Sequence, residues 1–232
     1  MHGLLHPHDV KALFEEYHDV PLVSVSDSQR VPVPSAGWQA TVYHGLPRTL
    51  FRPTDEPGGY LVFLGRISPE KGVDRAIEIA RLANLPLKIA AKIYPEERAY
   101  FDATIAPLLD ASKGFVHFVG EIGGRETEEF LGNVRALLFP VEWAEPFGLV
   151  MIESLACGTP VIAWRRGSVP EVIDDGVTGF IVDSVDAAVR AVSRLDAIDR
   201  LVCRRTFEKR FDAKRMACEY VKVYEQVIGR TV

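Results

Sequence analysis

Hydrophobic and polar positions divide the chain into two unequal stretches. From about residue 60 onward, short runs that are apolar throughout alternate with segments whose apolar residues recur every three or four positions. The runs "YLVFLG" (60–65), "LKIAAK" (87–92), "FVHFVG" (115–120), "ALLFPV" (136–141), "PVIAW" (160–164) and "GFIVD" (179–183) read as strands. Between them, "VDRAIEIARLA" (73–83), "EERAYFDATIAPLL" (96–109), "RETEEFLGNV" (125–134), "FGLVMIESLAC" (147–157) and "VDAAVRAVSRL" (185–195) read as helices, and a long helix beginning near Ala213 closes the chain. Strands without a polar face, separated by amphipathic helices, indicate a parallel sheet covered on both sides. The fold class expected is α/β, a doubly wound parallel sheet. Ligands of such sheets bind outside the carboxyl ends of the strands.

The first 53 residues follow no such rhythm. They hold one amphipathic stretch, "HDVKALFEEY" (8–17), and two strand candidates, "PLVSVS" (21–26) and "TVYHGL" (41–46). Two strands and a helix bury too little for an independent core. They are expected either to extend the main sheet or to be the remnant of another domain. "RPTDEPGG" (52–59) has the proline and glycine content of a linker. The division expected is 1–53 as remnant and linker, 54–212 as the main domain and 213–232 as a closing helix.

Composition narrows the partners. A net charge of -5 offers no global attraction to nucleic acid or to anionic membranes, so an anion site must be local. No apolar run reaches the length of a transmembrane helix. The N-terminus lacks the charged and apolar regions of a signal peptide. Three scattered cysteines fit a reducing compartment, and a cytoplasmic location is expected. Cys157, at a helix end with no nearby histidine, reads as packing.

Candidate chemistry is concentrated in two places. "EPFGLVMIE" (145–153) sets Glu145 and Glu153 at the ends of an apolar stretch where an unpaired carboxylate is costly to bury. Pro146 suits a first helical turn, and Gly158 and Pro160 supply a stop, so the spacing predicts a helix from about Phe147 to Cys157. The amides of Phe147, Gly148 and Leu149 would then form an anion site at its start, with Gly148 admitting a ligand close to the backbone. "FLGRISPEKG" (63–72) carries Arg66 and Lys71 at the carboxyl end of a buried strand, two cations able to neutralise a diphosphate. It is not a Walker A loop, and "GEIGGR" is not a dinucleotide fingerprint. His2, His6 and His8 lack an accompanying carboxylate or cysteine cluster, and there is no Asp-x-Asp, so no metal is expected.

With these residues in hand, the sequence resembles retaining glycosyltransferases of the GT-B fold, family 4. The E-x7-E pattern is Glu145 and Glu153, "FLGRISPEKG" resembles the family's phosphate-binding loop, and "RFDAKRMACEYVKVYEQVI" its last helix. The resemblance implies a UDP- or GDP-sugar as donor, an unspecified acceptor and no metal or other cofactor. By the same resemblance Arg66 and Lys71 would hold the diphosphate, Glu153 the ribose and Glu145 the donor sugar. The backbone near Ile122 would meet the base, with Lys92 nearby, although "KIAAK" lacks the glycine often found there. "MHG" resembles the end of a family strand whose histidine approaches the donor sugar, which makes His2 a catalytic candidate. The family's acceptor-binding first domain has almost no counterpart here. The chain is therefore expected to be a donor half that needs a partner chain or self-association. The alternatives are a nucleotide-sugar binding module without turnover, half of a split enzyme, or a GT-B epimerase.

Overall fold

The computed structural model describes residues 7–54 and 56–229, with side chains from residue 12 onward. Its centre is a sheet of six parallel strands: β3 (Leu61–Arg66), β4 (Leu87–Lys92), β5 (Val116–Gly120), β6 (Ala136–Phe139), β7 (Val161–Trp164) and β8 (Gly179–Val182). Their spatial order is β5-β4-β3-β6-β7-β8. The chain runs outward from β3 to one edge, then returns to β6 and runs outward to the other, the order of a doubly wound sheet. The neighbouring strands β6 and β7 are buried at every position, as continuous apolar runs require.

Helices cover both faces: α2 (Val73–Leu82), α3 (Arg98–Tyr100), α4 (Ala106–Ala111), α5 (Arg125–Gly132), α6 (Leu149–Ala156), α7 (Val169–Val172), α8 (Val185–Val192), α9 (Arg200–Arg210) and α10 (Ala213–Gly229). The stretch read as one helix over 96–109 is interrupted. A π-helical turn at Phe101–Ile105 separates α3 from α4. The helix predicted over 147–157 begins two residues later than expected. Gly148, at φ +75°, turns the chain into α6, and Pro146 lies in the preceding loop rather than in the first turn. Its end agrees with expectation. The Gly158 amide bonds the Leu155 carbonyl and the Thr159 amide that of Ser154, a Schellman closure with Gly158 at φ +76°.

Strand pairing opens the sheet at the point where its winding reverses. β3 pairs with β4 through all six residues, Leu61 with Leu87 to Arg66 with Lys92. It pairs with β6 only at Leu61–Ala136 and Val62–Leu137. Beyond Val62 the two strands part, and a crevice opens between their carboxyl ends.

The first section forms a sheet of its own. β1 (Leu22–Ser24) and β2 (Trp38–Thr41) pair in parallel, apart from the main sheet, so of the two alternatives for this section, extension of that sheet does not occur. The strand expected at 41–46 lies earlier, at β2, and residues 42–45 run on as irregular chain to an isolated bridge between Leu46 and Asp212. Together with α1 (Pro7–Glu16), the small sheet buries Phe14, Val33 and Ala36 in a separate core, with Leu22 and Trp38 against it. One carboxylate ties it to the larger body. Glu171 accepts from the amides of Asp27 (2.7 Å) and Ser28 (2.8 Å) and from the Tyr43 hydroxyl (3.1 Å).

Arginines of the last two helices fasten the connector that follows. Arg215 donates to the carbonyl of Tyr43 (2.6 Å), Arg204 to those of Arg48 (2.7 Å) and Phe51 (2.8 Å), and Arg200 to that of Thr54 (2.8 Å). A segment with no ladder of its own thereby has carbonyls satisfied by charged donors. α9, which "LVCRRTFEKR" did not announce by an amphipathic pattern, supplies two of those arginines. Among the described residues no helix is long and apolar enough to cross a membrane.

Candidate functional site

The crevice between β3 and β6 is a cleft of about 450 Å³, walled by Phe63, Leu64 and Gly65 of β3 on one side and by the loop after β6 and the start of α6 on the other. The loops after β3 and β6 are pinned together by backbone. The Glu142 amide donates to the Glu70 carbonyl (2.8 Å), and Gly72, at φ +71°, packs so tightly on Pro140 that a Cβ would lie 2.2 Å from its carbonyl oxygen. Gly167 does the same for the turn carrying Glu145, where a Cβ would meet that residue's carbonyl oxygen at 2.3 Å. Ser168 completes the buttress, its amide bonding the Glu145 carbonyl and its hydroxyl the Phe147 carbonyl, both at 2.9 Å.

Seven of the residues singled out from the sequence line this cleft: Arg66, Lys71, Ile122, Glu145, Gly148, Leu149 and Glu153. The amides of Leu149 and Val150 begin α6, where they have no acceptor within the helix, and both residues border the cleft. Phe147 faces elsewhere. Its buried ring meets Tyr43, His44 and Phe211, and it borders a smaller hollow shared by His44, Glu145, Gly148 and Leu149. Lys92 stands outside the cleft, paired with Glu121 at 3.2 Å over the Tyr94 ring. His2 lies outside the described residues.

Pairing within the cleft differs from a simple cradle of free cations. Lys71 Nζ lies 2.6 Å from Glu145 Oε2, with both side chains largely buried. Trp143 Nε1 donates to the same oxygen at 2.8 Å, and its ring lies under the ammonium, 4.7 Å from the centroid. Arg66 is held by Glu70 (2.9 Å) and by the buried Glu97 (3.4 Å). Glu153 has no hydrogen-bonding or ionic partner among the described residues, and burial pushes its carboxyl above the usual range. Cys157, one α6 turn further, is buried and pushed up to about 12, first by burial and then by Glu128 and Glu153, so its thiol is inert.

The sequence reading missed Trp143, Glu70, Glu97 and Thr127, the last of which also lines the cleft. Glu70 lay in plain view, four residues from Arg66. Glu97 and Trp143 gave no signal, because each reaches its partner through a loop whose path depends on packing elsewhere.

The site can be set beside known proteins. The model of the family described as "Glycosyl transferases group 1" matches residues 51–201. An alpha-maltose-1-phosphate synthase of Mycobacterium tuberculosis is 30% identical over 164 residues, 68% of this chain and 42% of that protein. A D-inositol 3-phosphate glycosyltransferase of Mycolicibacterium smegmatis is 31% identical over 183 residues, 75% of this chain and 41% of that protein. Among solved structures, AviGT4, a glycosyltransferase involved in avilamycin A biosynthesis, superposes with a TM-score of 0.76 at 23% identity, covering 89% of this chain and 63% of that one. Anabaena Alr3699/HepE in complex with UDP gives 0.84 at 16% identity, covering 97% and 71%. At these identities the likeness to the two structures is one of fold. The chain spans about half the length of the relatives it matches.

Proposed function

The chain belongs to the glycosyl transferases group 1 family, and from that footing we propose that its cleft binds a nucleoside diphosphate sugar, UDP- or GDP-linked, as the donor of a retaining glycosyl transfer. The observation that carries the reading is convergence. Two cations, two acids and the start of a helix, drawn from loops about 75 residues apart, meet in one crevice at the reversal point of the sheet. Arg66, Lys71 and the amides of Leu149 and Val150 supply positive charge for a diphosphate without a metal. Glu153, an acceptor without a donor, fits the paired hydroxyls of a ribose. Glu145 stands at the other end, toward His44, where the sugar would sit.

In the proposed step the bond from the sugar's anomeric carbon to the diphosphate breaks and a bond to an acceptor hydroxyl forms. The hydroxyl proton passes to the departing phosphate oxygen. Charge building on that oxygen is met by Lys71 and the helix start, which lowers the barrier because the donors are already in position. Glu145 is not assigned as nucleophile, since Oε2 is already held by Lys71 and Trp143. The acceptor-binding surface is assigned to a further polypeptide region or a partner chain facing the Glu145 end. The unpaired thiols Cys157, Cys203 and Cys218 support a reducing, cytoplasmic setting. A second reading, a nucleotide-sugar binding module without turnover, is favoured by that same engagement of Glu145, which spends charge of Lys71 on a carboxylate rather than on a departing phosphate.

Calorimetric titration with UDP, GDP, UDP-glucose and GDP-mannose tests the shared part. Micromolar to millimolar binding of one nucleotide pair is expected, and no heat from any of the four at millimolar concentration rejects both readings. Release of free sugar or transfer to an added acceptor then separates enzyme from binding module.

A further inference from the structure

We propose that Trp143 is a positioning residue that joins the two ends of the cleft, aiming Glu145 through its indole N–H and Lys71 through its ring face. The inference rests on the donor reading above and adds to it a residue that acts only through those two. Three contacts carry it. The indole nitrogen donates to Glu145 Oε2 at 2.8 Å, the Lys71 ammonium reaches that oxygen at 2.6 Å, and the ammonium also sits 4.7 Å from the centre of the indole ring. One side chain thus grips both members of a largely buried ion pair.

The geometry has a chemical consequence. Glu145 Oε2 receives two donors, so its remaining acceptor capacity is concentrated on Oε1, which is left for a ligand hydroxyl. Lys71 is braced by carboxylate and ring, which fixes the direction of its remaining N–H donors toward a phosphate. Without the indole N–H, the carboxylate can rotate and use both oxygens on Lys71, turning away from the sugar. Without the ring, the ammonium also loses its support. Loss of the N–H alone should therefore weaken recognition of the sugar, while loss of the whole side chain should weaken the phosphate end too.

Two substitutions separate these effects. Trp143→Phe keeps an aromatic face and removes the donor, whereas Trp143→Gln keeps an N–H donor and removes the face. By titration, Trp143→Phe is expected to bind the nucleoside diphosphate within about twofold of the unsubstituted chain but the corresponding nucleotide sugar about tenfold more weakly, the size expected for a hydrogen bond to a charged group. Trp143→Gln is expected to lose affinity for both and to retain more of the sugar-to-nucleotide ratio than Phe does. Equal losses of both ligands in Trp143→Phe, or none, overturn the inference while leaving the donor reading intact. If the unsubstituted chain binds none of the four ligands, the donor reading falls and this inference with it. A measurement on the unsubstituted chain covers the case in which the variants do not fold. The Trp143 indole proton should resonate downfield and shift further on adding nucleotide sugar than on adding nucleotide. Identical shifts with both ligands overturn the positioning role.

Discussion

The two acids of the cleft, eight residues apart on one loop and helix, sit in opposite electrostatic circumstances. Glu145 is buried with a cation and an indole donor on one oxygen, and its loop is clamped by Gly167, Ser168 and the backbone bridge from Glu142 to Glu70. Glu153 is part-buried on α6, with no partner and a carboxyl held above the usual range by desolvation. The first is a finished structural pair into which a ligand must fit. The second is an unmet acceptor that a ligand would complete, kept at a cost in stability. Function and folding stability therefore pull together at Glu145 and against each other at Glu153.

Four single substitutions and one paired change test that contrast, in descending order of effect. Gly167→Val places carbon within about 2.3 Å of the Glu145 carbonyl oxygen in a left-handed backbone position, so the loop must move. A loss of about 4 kcal/mol or failure to fold is expected in denaturant titration, with nucleotide-sugar binding abolished. A stability near that of the unsubstituted chain would show that the clamp is not needed.

Lys71→Met leaves Glu145 buried against Trp143 alone. The expected loss is about 3 kcal/mol, and adding Glu145→Gln to the same chain should recover a good part of it, because the uncompensated charge is then gone. Strict additivity of the two changes would contradict the coupling. Binding of the nucleoside diphosphate should fall at least tenfold in both chains, since each lacks the Lys71 charge.

Glu153→Gln is expected to act in the opposite direction on stability. The folded-state carboxyl binds its proton more tightly than the unfolded one, so the native state holds the greater number of protons between the two pKa values. Stability of the natural chain then falls as pH rises from the ordinary carboxylate range through the raised value. The Gln variant escapes that loss. Its melting temperature should match the natural chain's at acid pH and exceed it increasingly up to neutral pH, while affinity for the nucleotide falls about tenfold. A melting difference that is largest at acid pH would refute the burial account. Lys92→Ala, beyond the cleft, should change nucleotide affinity by less than about twofold. A larger loss would extend the site toward β4 and β5.

Much of this was readable in the residues. Strands that are apolar on both faces, such as "ALLF" and "VIAW", could only be interior to a covered parallel sheet, because a solvent-facing side would have forced alternation. Gly158 ended its helix where only a left-handed residue fits. The association of Arg66 and Lys71 with Glu145 and Glu153 was carried by the resemblance to known glycosyltransferases rather than by spacing, since nothing local links positions 66–71 to 145–153.

How those charges are spent on one another depends on the packing of distant loops. Periodicity reports which face of an element is buried. It does not report that β3 and β6 part after two residue pairs, which makes the crevice, or that the loops beyond them meet at Gly72 and Pro140. Those contacts bring Trp143 and Glu145 to Lys71, and Glu97 to Arg66, so that Lys71 joins a largely buried pair and Arg66, though partly exposed, is held by an acid. Only the fold could decide this, because the energy of a charge depends on its neighbours and on its distance from water. The order of apolar and polar residues was enough to specify an α/β sheet and the residues at its carboxyl edge. Which of them are already satisfied, and that Glu153 is not, followed from packing.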